Sequence, residues 1–350
     1  MRIGILGYGR FGRALGALLH EAGHAYRAWD TAAGIPAECR ATSLQELAGA
    51  GAEALVLAVP VAVLGSALAS LRPHLHPDQL VFDVGSVKSG PCALMDAQLG
   101  TVIPHAGTHP LFGPVSLARA ERPLRVVVCP SAHHPAAADR VQILFESLGC
   151  EVLRQSPEDH DRVMATTHAL TFFLAKGLLA VGAGAELPFT PPSFHAIART
   201  LESVREDAGH LFAALQNQNP FAAGAREGLL EALSAIHQSL AEAVAEGTDE
   251  QQLSIPGLGE RSPVLQEARD HIDTLDQELV ALLARRTELV LRAGRAKAEL
   301  GLPVHDPERE ASQLQARRTW ADEASLDPQG VEEVFRAVLR ASRSAQGGKG

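Results

Sequence analysis

At 350 residues, with 46% apolar and 21% charged side chains, the chain is long enough for two or three domains with proper cores and has the composition of an ordinary globular protein. Its formal net charge of −10 argues against general nucleic-acid binding, while leaving room for local basic pockets that take small anions. Cys39, Cys92, Cys129 and Cys150 show neither metal nor redox spacing and are expected to be reduced thiols; no run reaches the ~18 apolar residues of a membrane span, and MRIGILGYG enters a strand at once without a signal peptide, so a cytoplasmic protein is expected.

In chain order, Arg2–Leu6, Ala25–Trp29, Ala54–Val59, Leu80–Val84, Thr101–Pro104 and Leu124–Cys129 read as strands. Most are unalternated and so buried on both faces. Interleaved with helical segments, they predict an α/β domain over residues 1–157, a mainly parallel sheet covered by helices on both sides. Strand signals stop at Pro157. Alanine- and leucine-rich helical stretches follow, including His160–Val181 and Pro192–Gln216, and define an all-α domain over 158–250. The stretch GTDEQQLSIPGLGERSP is rich in turn formers and charge, so 251–262 reads as a linker. A third domain, 263–346, is three helices: one from Pro263 to about Leu300, one from Pro307, and one from Pro328 to Gln346, before a GGKG tail.

Directly after the first strand comes Gly7-Tyr8-Gly9-Arg10-Phe11-Gly12, the G-x-G-x-x-G pattern of a dinucleotide loop. Gly7 permits the tight turn, Gly9 lets a pyrophosphate approach the backbone, and Gly12 lets helix and strand pack closely. Arg10 and Phe11 lie inside the same loop, where the helix N-terminus faces the phosphates. Asp30, 18 residues after Gly12 at the end of the second strand, can bind a ribose 2′-hydroxyl and repels a 2′-phosphate, which favours NAD over NADP.

Two later segments, Asp83-Val84-Gly85-Ser86-Val87-Lys88 and Gly107-Thr108-His109-Pro110-Leu111-Phe112-Gly113-Pro114, are read as loops beyond the carboxyl ends of strands, where open α/β sheets place ligands. A histidine beside a serine there suits a base that takes a hydroxyl proton during hydride loss, or else simple turn chemistry. GxGxxG, then DVGSVK, then HPLFGP resembles the prephenate dehydrogenase family over residues 1 to about 240. The resemblance implies a Rossmann-type NAD domain followed by an all-α dimerisation domain, and oxidative decarboxylation of prephenate to 4-hydroxyphenylpyruvate. It makes His109 the catalytic histidine and Ser86 the serine that orients it and touches the same substrate hydroxyl. It also implies a histidine and an arginine for the substrate carboxylates; His168 fits the first, and Arg199 the second, with Arg205 as rival.

The last domain carries cations on an apolar stripe. Ile272, Leu279, Leu283, Val290 and Ala293 recur at helical spacing, and Arg269, Arg286 and Lys297 fall on the same ladder. Cations on a buried stripe are costly unless an anion meets them, so this is either a binding surface for a polycarboxylate or a poorly made core. ARDHIDTLDQELVALLARRTEL, GRAKAELGLPVHDPERE and VFRAVLRASRSAQ resemble the all-helical chorismate mutase family, and Arg269, Arg286, Lys297, Asp306, Arg309, Glu310, Ser342 and Gln346 match its binding positions. The resemblance implies a three-helix chorismate mutase domain, with Lys297 and Glu310 acting on the migrating ether and the other residues holding the substrate. Helix geometry adds that Arg286 and Lys297, 11 residues apart, lie ~16 Å apart on one face, whereas Arg269 is ~42 Å from Lys297. Arg269 can serve such a ligand only in a second, antiparallel copy, so a homodimer with shared mutase sites is expected. Asp306-Pro307 is also a good N-cap and N1 pair. The expectation is a bifunctional enzyme of tyrosine synthesis acting on chorismate and then prephenate, with no metal, nucleic acid or membrane. Two alternatives stand beside it: a prephenate or arogenate dehydrogenase with a non-catalytic helical dimerisation or regulatory domain, and a dinucleotide-binding sensor without turnover.

Overall fold

The computed structural model describes residues 1–31, 34–49, 51–118, 121–183, 189–191, 194–205, 209–246, 264–301, 303 and 306–347; the expected linker 251–262 lies outside the described residues. Two compact units divide the chain, one of residues 1–115 and 123–254, the other of residues 116–122 and 255–350.

The first unit is built on seven strands: β1 (Arg2–Leu6), β2 (Ala25–Trp29), β3 (Ala54–Leu57), β4 (Leu80–Asp83), β5 (His105–Pro110), β6 (Leu124–Pro130) and β7 (Cys150–Arg154). They form one sheet in the order β2-β1-β3-β4-β5-β6-β7. All neighbours are parallel except β5 and β6, which pair antiparallel with His109 opposite Val127. The order reverses at β1, which makes the carboxyl ends of β1 and β3 the natural crevice for a ligand. Helices α1 (Arg10–Glu21), α2 (Leu44–Gly49), α3 (Val61–Leu71), α4 (Ser89–Leu99) and, after a short α5 (Pro114–Ala118) at which the chain divides between the units, α6 (Pro135–Ser147) alternate with the strands along the chain. β3 and β4 are buried at every position, and Leu47, Leu55, Leu57, Leu64, Leu68, Leu71, Met95 and Leu99 pack into one core.

Two strand expectations need correction. Thr101–Pro104 is a turn, and the strand starts at His105, so His109 stands on β5 itself and not on the loop beyond it. β2 is not buried on both faces, since only Ala28 is fully enclosed in this edge strand. β7, the other edge, was not expected from its sequence.

The helical part of this unit begins with α7 (Pro157–Met164), which Ser156 caps by accepting the Asp159 N–H, and runs through a π-helical turn, Ala165–Ala169, into α8 (Leu170–Ala180). This run, Pro157–Ala180, does meet the length and composition of a membrane span, with mean hydropathy 1.4 over its best window. Its first turns, however, bury His160 and Asp161 against the α/β domain. α9 (Phe194–Arg205), α10 (His210–Ala213), a second π turn (Ala214–Gln218) and α11 (Ala222–Glu246) follow. Ala169, Phe172, Ala175, Leu201, Val204, Leu215 and Ala222 form their core. The two wide turns meet where the Gln216 amide donates to the Ala169 carbonyl at 2.7 Å.

The second unit contains α12 (Val264–Glu299), α13 (Pro307–Glu323) and α14 (Pro328–Gly347), with α14 against both of the others. Asp306 does cap α13, accepting the Arg309 N–H at 3.0 Å, with Pro307 at the first helical position. Much of the α12 stripe is uncovered within the chain: Ile272, Leu275, Leu279 and Leu283 are 44–58% exposed.

Candidate active sites

The glycine loop behaves as its spacing requires. Gly7 has φ +99°, and a Cβ there would lie 2.5 Å from the Ala58 carbonyl oxygen; a Cβ on Gly12 would lie 2.2 Å from the Gly7 oxygen. These two glycines serve the packing of β1, β3 and α1. Gly9 differs, because a Cβ there would meet nothing within 4 Å. The chain does not need that glycine for itself, so the open space suits a group brought in from outside, such as a pyrophosphate. Arg10 is exposed at the start of α1, and Phe11 rests against Phe112 with ring centroids 6.2 Å apart, which joins the glycine loop to the HPLFGP segment. Asp30 accepts the Tyr8 N–H at 2.6 Å and so shapes the turn as well as facing it. Asp30→Asn keeps an acceptor for Tyr8 but removes the charge. It is expected to lower the ratio of kcat/KM with NAD to that with NADP by roughly 10- to 100-fold, the worth of a charged hydrogen bond; an unchanged ratio would show that Asp30 does not select the cofactor.

Beyond the carboxyl ends of β3 and β4 lies a cleft of about 190 Å³ lined by Val59, Pro60, Gly85, Ser86, Leu211 and Gln218, among others. Ser86 is half-buried there. The Gln218 side-chain oxygen is buried with no donor among the described residues, so an incoming N–H or O–H would relieve a real cost. Behind the cleft, Lys88 is fully buried. Its ammonium pairs with the Asp83 carboxylate and donates to the Thr108 carbonyl at 2.6 Å, while the Thr108 hydroxyl donates back to the Asp83 carbonyl. This clip ties the end of β4 to β5 and holds His109 at a fixed height.

His109 is 4% exposed. Its Nδ1 lies 2.8 Å from His160 Nε2, whose own Nδ1 lies 2.8 Å from Asp161. Its Nε2 makes no hydrogen bond among the described residues. Thus His160, and not Ser86, bonds the His109 ring. Burial first, and then the neighbouring His160, Lys88 and His168, hold the His109 imidazole well below its usual pKa and therefore neutral. His168 sits on the first π turn, half-buried, with its ring 4.9 Å from Phe172. Arg199 and Arg205 lie on α9, but their side chains are outside the described residues. His160, Asp161 and Gln218 were not expected from the sequence, while Asp83 and Lys88 stood in the DVGSVK motif without an assigned role. The adjacent His-Asp pair at a helix start was the available signal.

In the second unit, a pocket of about 460 Å³ is lined by Arg286, Lys297, Asp306, Arg309, Glu310, Ser342 and Gln346, which are seven of the eight positions expected there. Arg269 lies on α12, but its side chain is outside the described residues. Arg286 donates to the Ser342 hydroxyl, which itself donates to the Val338 carbonyl at 2.8 Å. Burial and the nearby Arg317 lower the pKa of Arg286, which still stays protonated at neutral pH. Gln346 donates to the Val290 carbonyl at 2.7 Å, and Gly294 gives it room, since a Cβ there would lie 3.1 Å from its Nε2. Arg343, which was not expected, lines the same pocket and holds both Glu310 oxygens at 2.7 Å. Lys297 belongs to the last turn of α12, where a cation also answers the helix dipole.

Fold and sites together define a Rossmann-type nucleotide-binding unit, with a helical partner, and a separate three-helix unit whose pocket is rich in cations. Residues 21–154 match the family of the prephenate dehydrogenase nucleotide-binding domain, and residues 268–347 match chorismate mutase type II. It is 45% identical over 82 residues to the T-protein of Enterobacter agglomerans, a match covering 23% of this chain and 22% of that one, so it spans about a fifth of that relative's length. A 4-amino-4-deoxyprephenate dehydrogenase of Streptomyces pristinaespiralis is 31% identical over 198 residues, covering 55% of this chain and 65% of the relative. The crystal structure of the A. aeolicus prephenate dehydrogenase with hydroxyphenyl propionate and NAD+ has the same fold, with TM-score 0.57 and 19% identity over 80% of this chain and 98% of that one.

Proposed function

We propose that the chain is a bifunctional enzyme of tyrosine synthesis, which rearranges chorismate to prephenate in the second unit and oxidises prephenate with NAD in the first. The observation that carries the reading is the single pocket that gathers seven polar positions named from sequence, spread over three helices. In that pocket Arg286, Arg309 and Lys297 hold the two carboxylates of the substrate and meet the charge that develops on the ether oxygen as its bond breaks. Arg343 keeps the Glu310 carboxylate in place beside the reacting atoms. The contribution is one of confinement in the reactive conformer and of charge stabilisation, with no covalent step.

In the first unit the glycine loop and Asp30 would hold NAD, which supplies the hydride acceptor. His109 Nε2 takes the proton of the substrate's ring hydroxyl as hydride leaves the ring, and loss of CO2 completes aromatisation. Ser86 and Gln218 line the same cleft and would orient what enters it. His168, with Arg199 or Arg205, receives the substrate carboxylates. A homodimer completes the mutase site: a second chain covers the exposed apolar stripe of α12 and brings its Arg269 to the pocket. Chorismate consumption by the wild-type chain, and NADH formation when prephenate and NAD are supplied, are both expected. Oxidation of prephenate without any loss of chorismate would reduce the second unit to a dimerisation module.

A further inference from the structure

The polar groups behind His109 form a chain whose hydrogens can be assigned one after another. Asp161 is fully buried. Its Oδ1 accepts the Lys88 N–H at 2.8 Å and its Oδ2 accepts the Ser89 N–H at 2.8 Å, both at the start of α4. Its own backbone carbonyl takes the Asn219 amide at 2.8 Å, which anchors α7 from the other side. Burial pushes this carboxyl up, but the hydrogen bonds from His160, Ser89 and Lys88 outweigh it and hold Asp161 below the usual carboxylate range. An ionised carboxylate has no hydrogen to give, so the hydrogen in the Asp161–His160 contact belongs to His160 Nδ1. A neutral His160 then offers a bare Nε2. The hydrogen in its 2.8 Å contact with His109 must sit on His109 Nδ1. A second proton on this pair of rings would place a cation beside the buried Lys88 ammonium, whose own counter-ion is Asp83, and near His168.

We propose that Asp161, acting through His160, fixes His109 in the tautomer that carries its hydrogen on Nδ1 and leaves Nε2 bare toward the cleft. Asp161 and His160 are positioning residues for the base, and the inference rests on the dehydrogenase reading of the first unit. When the substrate's O–H bond breaks and an Nε2–H bond forms, His109 becomes an imidazolium whose Nδ1–H points at His160, and the carboxylate at the far end stabilises the charge. A protonated His160 would do the reverse, donating from Nε2 to His109 Nδ1 and putting the His109 hydrogen on Nε2, where it blocks proton uptake.

Nitrogen-15 NMR of the histidine rings in the full-length wild-type chain at neutral pH reads the tautomer directly, with His109→Asn used for assignment. The expected spectrum has a protonated Nδ1 and a bare Nε2; the opposite tautomer overturns the proposal. In kinetics with prephenate and NAD, Asp161→Asn and His160→Gln are each expected to lower kcat by roughly 10²- to 10⁴-fold with little change in KM. The double variant should be no slower than the slower single one. Losses that multiply would overturn the relay and leave Asp161 only as an anchor for the Lys88–Ser89 backbone. Wild-type protein that does not oxidise prephenate at all would sink the dehydrogenase reading instead, while the NMR result would stand on its own.

Discussion

His109→Ala is expected to slow NADH formation from prephenate by roughly 10²- to 10⁴-fold, the usual contribution of a positioned base. Chorismate consumption should be unchanged, because His109 is not among the residues, 286–346, that line the mutase pocket within this chain. The pH profile of the wild type carries a second expectation. Only the neutral imidazole can accept a proton, and burial in particular places its pKa well under the ordinary value. As pH falls, the dehydrogenase rate should therefore hold through about 6.5, where an unperturbed histidine would be half protonated, and decline only below it. An acid limb centred at or above 6.5 would contradict a buried, neutral His109. Steady-state rates between pH 4.5 and 8, compared with the profile of His109→Ala, measure both effects.

Lys297→Ala is expected to lower mutase kcat/KM by roughly 10²- to 10³-fold, the range found when one preorganised group facing a developing oxyanion is removed. The prephenate-dependent formation of NADH should stay at the wild-type level, since Lys297 belongs to the other unit. Chorismate disappearance followed by absorbance gives the first number, and the same preparation with prephenate and NAD gives the second. A loss of less than tenfold would mean that Lys297 only caps α12, answering its dipole at the helix end.

How much of this was legible beforehand depended on whether a residue's job was local. The glycine loop, Asp30 and the cations of α12 could be read because their spacing is itself the signal. β5 was misplaced for a physical reason. Its sequence, HAGTHP, is polar, yet all six residues are buried. His105 is satisfied by Asp96 and the Ile103 carbonyl, Thr108 by Asp83, and His109 by His160, so hydrogen bonds from elsewhere in the fold do what apolar side chains do in β3 and β4. No local pattern announces that. The His109–His160 contact spans 51 residues, and Arg343 reaches Glu310 across 33, so neither partner shows in its own neighbourhood. The π turns hid more. A wide turn adds a residue to the helix and breaks the 3.6-residue phase, so a periodic reading of His160–Val181 loses its register at Ala165–Ala169, the segment that carries His168.

The charges around the mutase pocket reach further than its affinity for one compound. Arg286, Lys297, Arg309 and Arg343 stand against Asp306 and Glu310, four cations to two carboxylates, an excess of two positive charges in a chain whose total is −10. Beyond the ~8 Å over which charges act at physiological ionic strength, the surface of the protein offers a dianion little welcome. Within that distance the pocket attracts it strongly. On the proposed reading, substrate and product carry the same two carboxylates, so the field that captures the first also retains the second. Ions that screen the pocket are therefore expected to slow capture and hasten release together.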